Sequence, residues 1–185
     1  MRGQPCCGRN WQDATYRISD KAITKKRSEC SPTLSRGYKR KSRGYVLADD
    51  KSNVRQIGDE PYQIKNKFPN ARVAVDENRC HGIEQLLKLE NPTVEAIILD
   101  DAFQHRHVKA GLNILLTDFH RLLCDDALLP AGRLREPSSG KNRAQMVIVT
   151  KCPDDIKPID FNIIAKRLHL YPYQQRISPD SAMEC

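Results

Sequence analysis

Two adjacent carboxylates, Asp100 and Asp101, close the short apolar run Ala96-Ile97-Ile98-Leu99. Such a run reads as a strand buried in a parallel sheet, and ligands of these sheets gather at the carboxyl ends of the strands. Carboxylates held there can bind Mg2+, directly or through water, opposite nucleotide phosphates. They can equally cap a turn. Gln104 and His105 follow within one turn and add an amide donor and acceptor and a titratable imidazole at the same edge.

Three further groups carry potential chemistry. In Ile57-Gly58-Asp59-Glu60-Pro61, the glycine permits a tight approach. Asp59 is placed to cap a following helix or to accept a proton from a substrate hydroxyl, and Pro61 suits the first turn. The segment LLPAGRLREP, residues 128–137, reads as a rigid loop from which Arg135 could neutralise phosphate and Glu136 could approach a metal. A surface turn with a local ion pair is the other reading. In SRGYKRKSRGY, residues 35–45, basic residues alternate with tyrosines and glycines. That pattern suits a nucleic-acid backbone, nucleotide phosphates, a phospholipid headgroup or plain solvent. The pair Cys80-His81 has no second Cys/His pair at zinc spacing and reads as structural or incidental.

These groups need a scaffold. Residues 72–75, 96–99, 112–117 and 145–150 are short apolar segments that predict strands, while 60–68, 82–89 and 160–168 carry helical spacing. Alternation of the two predicts an α/β domain with a parallel sheet and flanking helices. The 185 residues suit one domain. No stretch of 18 apolar residues is present to span a bilayer, so membrane contact is expected to be peripheral. A net charge of +8, from 31 basic and 23 acidic residues, points to an anionic partner without naming it. Seven cysteines without C-x-x-C spacing or a signal peptide fit a reducing compartment.

Taken in order, LSRGYKRK (34–41), GDEP (58–61), D-x-x-R (76–79), LDDAFQH (99–105) and LLPAGRLREP (128–137) closely resemble the tetraacyldisaccharide 4'-kinases. The resemblance implies a P-loop NTPase-like α/β fold with a parallel sheet, incomplete here at both ends. It implies ATP- and Mg2+-dependent phosphorylation of the 4'-hydroxyl of an acylated glucosamine disaccharide 1-phosphate. The setting it implies is the cytoplasmic face of the inner membrane, with the membrane surface as a partner and no nucleic acid. By the same resemblance Asp59, Arg79 and Arg135 are catalytic, Asp100, Asp101 and Glu136 are at the metal, and Gln104 and His105 are on the cofactor side.

The family pattern departs at both ends. Residues 1–33 contain no G-x-x-x-x-G-K-[ST] loop. Read one base out of frame, however, the codons allowed for residues 2–20 include Val-Gly-Asn-Leu-Ala-Val-Gly-Gly-Thr-Gly-Lys-Thr-Pro-His-Thr-Glu-Tyr-Leu-Ile, a full phosphate loop. The single Trp11 codon followed by Gln12 forces one of its glycines. Residues 28–31 in that frame permit a short strand, Val-Asn-Val-Ala. Residues 176–184, two bases out of frame, permit Tyr-Phe-Thr-Gly-Leu-Arg-Tyr-Gly-Val. The expectation is an out-of-frame segment over 1–33, a kinase core over 34–175, and an out-of-frame tail over 176–185 with a further family portion absent. A chain of this kind is expected to be inactive as written. The alternatives are a basic module that binds nucleic acid or anionic lipid, and a non-functional gene remnant.

Overall fold

A computed structural model describes residues 31–91, 93–153 and 155–170, and the backbone of Gln175–Ile177. The out-of-frame readings of residues 2–20, 28–30 and 178–184 lie outside the described residues. The described residues divide into two compact units, one up to Val108 and the other from Lys109.

The first unit holds a four-stranded sheet of order β2-β3-β1-β4. Its strands are β1 (Thr33–Ser35), β2 (Val46–Leu47), β3 (Val73–Val75) and β4 (Ile98–Leu99). β1 is parallel to both neighbours, with Leu34 opposite Ala74 on one side and Leu99 on the other. β2 runs antiparallel to β3 at the edge. Among the described residues of this unit the helices are α1 (Val54–Ile57), α2 (Asp59–Lys67) and α3 (Arg79–Leu87). Every residue of β1 and β3 is buried; β3 is wholly apolar, as a strand covered on both faces tends to be, whereas β1 flanks Leu34 with the polar Thr33 and Ser35.

Two apolar clusters fix the helices. Leu34, Ala74 and Leu86 form one, with Ile83, Leu89, Ile97 and Leu99 against it. Ile64, Ala71 and Val73 form the other, with Phe68 and Ala48 against it. Asn78 starts α3 by accepting a hydrogen bond from the His81 amide at 3.2 Å. Gly82 then allows the helix to lie flat on β1. A Cβ there would meet both Leu34 methyls at 2.9 Å and the Asp76 Cβ at 3.0 Å.

The second unit carries the parallel strands β5 (Ile114–Asp118), β6 (Met146–Thr150) and β7 (Gln175–Ile177), in that order. A 3-10 helix at Ser138–Arg143 precedes β6, and α4 (Pro158–Arg167) follows it. Pro158 suits the first turn of α4, where its missing N–H costs nothing, and Asp160 accepts from the Lys157 amide at 3.0 Å. Leu122, Val147, Ile148, Val149, Ile164 and Leu168 are buried.

The expected α/β class with a mainly parallel sheet is what the backbone adopts; the differences lie in the boundaries. The strand expected at 96–99 is only Ile98–Leu99, because pairing with β1 covers just Thr33 and Leu34. The strand expected at 112–117 lies at Ile114–Asp118, leaving Leu112 exposed. The helices expected from 82 and 160 begin at Arg79 and Pro158. Gln175–Ile177 forms one strand across the point where the sequence reading ends the core. β2 and α1 were too short to leave a periodic signal.

Gly82→Ala separates propensity from packing. Helix propensity alone favours alanine by about 1 kcal/mol, whereas forcing a methyl into a filled core costs about 1–3 kcal/mol. Fully buried Leu34 has nowhere to move, so the expected result is a net loss of about 1–2 kcal/mol in urea unfolding. A variant more stable than the parent would show that helix and sheet are not in firm contact here.

Candidate active site

From β1 the chain passes to β3 on one side, then returns through α3 to β4 on the other. The carboxyl end of β1 is therefore the switch point of the sheet, where a crevice opens. Arg36 and Gly37 leave β1 there, Asp76 to Arg79 leave β3, and Asp100 and Asp101 leave β4. Backbone hydrogen bonds tie the three ends: Asp76 N donates to Ser35 O at 3.0 Å, and Asp100 N to Leu34 O at 3.1 Å.

Asp100 has a carboxylate oxygen, Oδ2, that is buried and has no hydrogen-bond partner. Burial, then the negative charges of Glu60 and Asp101, push this carboxyl up to about 6, with the Arg79 guanidinium pulling the other way. Asp101 is exposed and left-handed, φ 47°. Non-glycine residues adopt that conformation at a cost, and it is common at functional turns.

Arg79 lies buried beside this pair. Its Nη1 donates to Asp76 O at 2.8 Å and its Nη2 to Asp100 O at 3.3 Å, while Nε is buried without a partner. Burial holds the guanidinium below its ordinary value, opposed by Asp100 and Asp101. His105 is partly exposed, and desolvation followed by the charges of Arg79 and Arg36 holds its imidazole down. Asp100, Asp101, Arg79 and His105 thus share one edge. Gln104 sits exposed in the turn beside them.

Two contributors were missed as site residues in the sequence. Glu60 acts on Asp100, and Arg36 on both Arg79 and His105. The signal for each was adjacency, Arg36 directly after β1 and Glu60 directly after Asp59.

Asp59 is not the helix cap that its position made plausible. Gly58, with φ 91°, occupies the N-cap, and Asp59 is the first residue of α2. Gly58 can hold that backbone because it lacks a side chain; a Cβ would approach Tyr38 O to 3.0 Å. The Asp59 carboxylate is consequently exposed and unengaged among the described residues.

The basic run is not one cationic arm either. The Arg40 side chain is buried at 2 % exposure and bonds Glu77 Oε2 at 2.7 Å, Gly44 O at 2.7 Å and Ser42 Oγ at 2.9 Å. Lys41 N donates to Arg55 O at 2.7 Å, and Ser42 Oγ bonds Gln56 O. The loop is thereby fastened to α1 and, through Gly37 and Gly58, to the start of α2. Tyr38, Lys39, Lys41 and Arg43 remain exposed.

Arg135 and Glu136 belong to the second unit. Arg135 is exposed. Glu136 is gripped by Arg143, whose Nη2 lies 2.9 and 3.0 Å from its two oxygens. Gly140 permits this approach, since a Cβ there would come within 2.9 Å of the Glu136 carboxyl carbon. Among the described residues no three His, Cys, Asp or Glu side chains form a ready metal cage. The Asp100–Asp101 pair still fits Mg2+, which takes one or two carboxylates and completes its shell with water and phosphate. The unpartnered Asp100 oxygen supplies such a ligand.

Residues 22–183 match the family model described as tetraacyldisaccharide-1-P 4'-kinase. The chain belongs to that family. It is 74% identical over 142 residues to the tetraacyldisaccharide 4'-kinase of Bacteroides thetaiotaomicron, covering 77% of this chain and 37% of that protein. It is 57% identical over 139 residues to that of Flavobacterium psychrophilum, covering 75% and 40%. The crystal structure of "apo" form LpxK from Aquifex aeolicus in complex with ATP superposes with a TM-score of 0.65 at 26% identity, covering 89% of this chain and 65% of that one. The chain therefore spans about two fifths of the length of the curated kinases it matches.

In this kinase-family chain the raised Asp100 carboxyl makes a signed prediction. A folded value of about 6 against 3.8 unfolded means that folding disfavours the ionised form, so stability falls as pH rises between those values. Discounted for partial exposure, Asp100→Asn should gain about 1–2 kcal/mol at pH 7 without divalent ions. The gain should vanish below pH 4. Denaturant unfolding at both pH values checks this, and a pH-independent difference would contradict it.

Proposed function

We propose that this chain carries the catalytic core of an ATP-dependent kinase that phosphorylates the 4'-hydroxyl of an acylated glucosamine disaccharide 1-phosphate. One observation carries the reading: an unpartnered carboxylate oxygen and a buried arginine share the switch-point edge of a parallel sheet in a family of kinases. The ATP in the Aquifex aeolicus structure supports the choice of nucleotide.

Asp59, unengaged at the start of α2, accepts the proton of the sugar hydroxyl as its oxygen attacks the γ-phosphorus and the bond to the ADP oxygen breaks. Arg79 offsets the negative charge spread over the phosphoryl oxygens, a role that the family resemblance also gives to Arg135 of the second unit. Asp100 and Asp101 would hold Mg2+, which would supply charge neutralisation at the phosphates; Glu136, in the second unit, is given to the metal by the resemblance alone. Gln104 and His105 serve the nucleotide side. An amphiphilic substrate calls for work at the inner membrane's cytoplasmic face, met peripherally. Among the described residues no helix is long and apolar enough to cross a membrane. Exposed Lys39, Lys41 and Arg43 offer charge for anionic headgroups rather than for nucleic acid.

Residues 1–33 lack the glycine-rich loop whose amides cradle phosphate, so the 185 residues as written should transfer little or no phosphate. Replacing residues 2–20 by the out-of-frame reading should restore nucleotide binding. Calorimetry of that variant with ATP should show binding that needs Mg2+ and weakens about tenfold or more when Asp100 and Asp101 are both changed to Asn. Asp59→Asn should leave this binding unchanged, because Asp59 faces the acceptor. Transfer by the unaltered chain, or binding indifferent to Mg2+ and to the acidic pair, would sink the reading. Co-flotation with anionic vesicles should fall steeply as salt is raised; preference for nucleic acid over such vesicles would overturn the assignment of partner.

A further inference from the structure

We infer that His81 is a positioning residue: by occupying the Asp76 carboxylate, it keeps Arg79 from being neutralised within its own turn. The importance of this for catalysis rests on the reading of Arg79 as an active-site arginine; the geometry does not.

Asp76 is almost fully buried, its side chain 2 % exposed. Oδ1 accepts from Asn78 N at 2.9 Å, and Oδ2 lies 2.7 Å from His81 Nδ1. The far ring nitrogen of His81, Nε2, lies 3.1 Å from Gln85 Nε2. An amide nitrogen can only donate, so Gln85 selects the tautomer with the proton on Nδ1, the one that bonds Asp76. Gln85 stands one helical turn beyond His81, on the same face of α3.

Arg79 follows Asp76 by three residues, and a guanidinium beside a carboxylate ordinarily closes a bidentate pair. Here it does not. Arg79 bonds two main-chain carbonyls, of Asp76 and of Asp100, and has no ion pair among the described residues. The other carboxylate of the turn, Glu77, is equally engaged, by Arg40 at 2.7 Å and by Gly44 N at 2.9 Å. Both acidic side chains nearest Arg79 in sequence are thus occupied by other donors, and its charge is left for the Asp100 edge. With His81 removed, a buried carboxylate oxygen next to a buried cation would have no donor, and the least costly remedy is for Arg79 to turn to it.

The sequence pair Cys80-His81 therefore has a use other than metal binding. Cys80 is exposed, while His81 faces Asp76.

The test uses the full chain with His81→Leu, which removes the donor, and His81→Asn, whose amide nitrogen mimics Nδ1. His81 is itself 45 % exposed, so both should fold, and cooperative thermal unfolding checks that. In the parent, 15N spectra of the imidazole should show the Nδ1–H form. Crystal structures should show Arg79 paired to the Asp76 carboxylate in His81→Leu and still bound to the two carbonyls in His81→Asn. In the chain with residues 2–20 replaced by their out-of-frame reading, inorganic tripolyphosphate, a probe for the freed charge, should bind about tenfold more weakly once His81→Leu is added. The double variant Asp76→Asn, His81→Leu should recover that affinity, since the competing carboxylate is gone.

An Arg79 that stays on the carbonyls in His81→Leu, or a parent protonated on Nε2 alone, would overturn the inference. If Arg79 shifts as expected while tripolyphosphate affinity does not change, the positioning role stands and the active-site reading of Arg79 fails.

Discussion

The candidate site depends on one constraint, the parallel pairing of β1 with a neighbour on each side. The amides of Asp76 and Asp100 donate to successive carbonyls, those of Ser35 and Leu34, so the acidic ends of two distant segments are drawn to the same edge. Parallel ladders require long crossovers. In this unit α1, α2 and α3 fill those crossovers, and their packing on Leu34, Val73 and Ala74 decides where Asp59 and Arg79 emerge. A single Cβ at Gly82 would disturb this contact.

The edge so formed is electrostatically unsettled. Asp100, Asp101 and Glu60 repel one another, and the arginines that oppose them are held by neutral carbonyls or lie exposed. A fold optimised for stability alone would give the buried Asp100 oxygen a donor. Sites that bind and stabilise transferred charge keep such groups preorganised and unquenched, at a cost in stability. The left-handed backbone of Asp101 is part of that cost.

The basic loop shows how composition misleads. Its residues look interchangeable in the sequence, yet Arg40 is an interior residue whose planar fork satisfies three acceptors at once. A lysine has the same charge but not the fork. The left-handed conformations of Gly37, Lys39 and Gly44 turn the chain so that Arg40 points inward while Lys39, Lys41 and Arg43 point to solvent.

The sequence by itself determined the alternation of strand and helix, because apolar periodicity reports which faces are buried, and it determined the chemistry available at each strand end. The acidic pair after β4, the Asp59 turn and the family were all legible in short ordered motifs. Tertiary structure alone decided which charges remain free. That Gly58 and not Asp59 caps α2, that Arg40 pairs inward with Glu77, and that His81 claims Asp76 ahead of Arg79 are outcomes of competition among neighbours in space. Sequence spacing lists such competitors without ranking them, since burial and hydrogen-bond geometry set the winner.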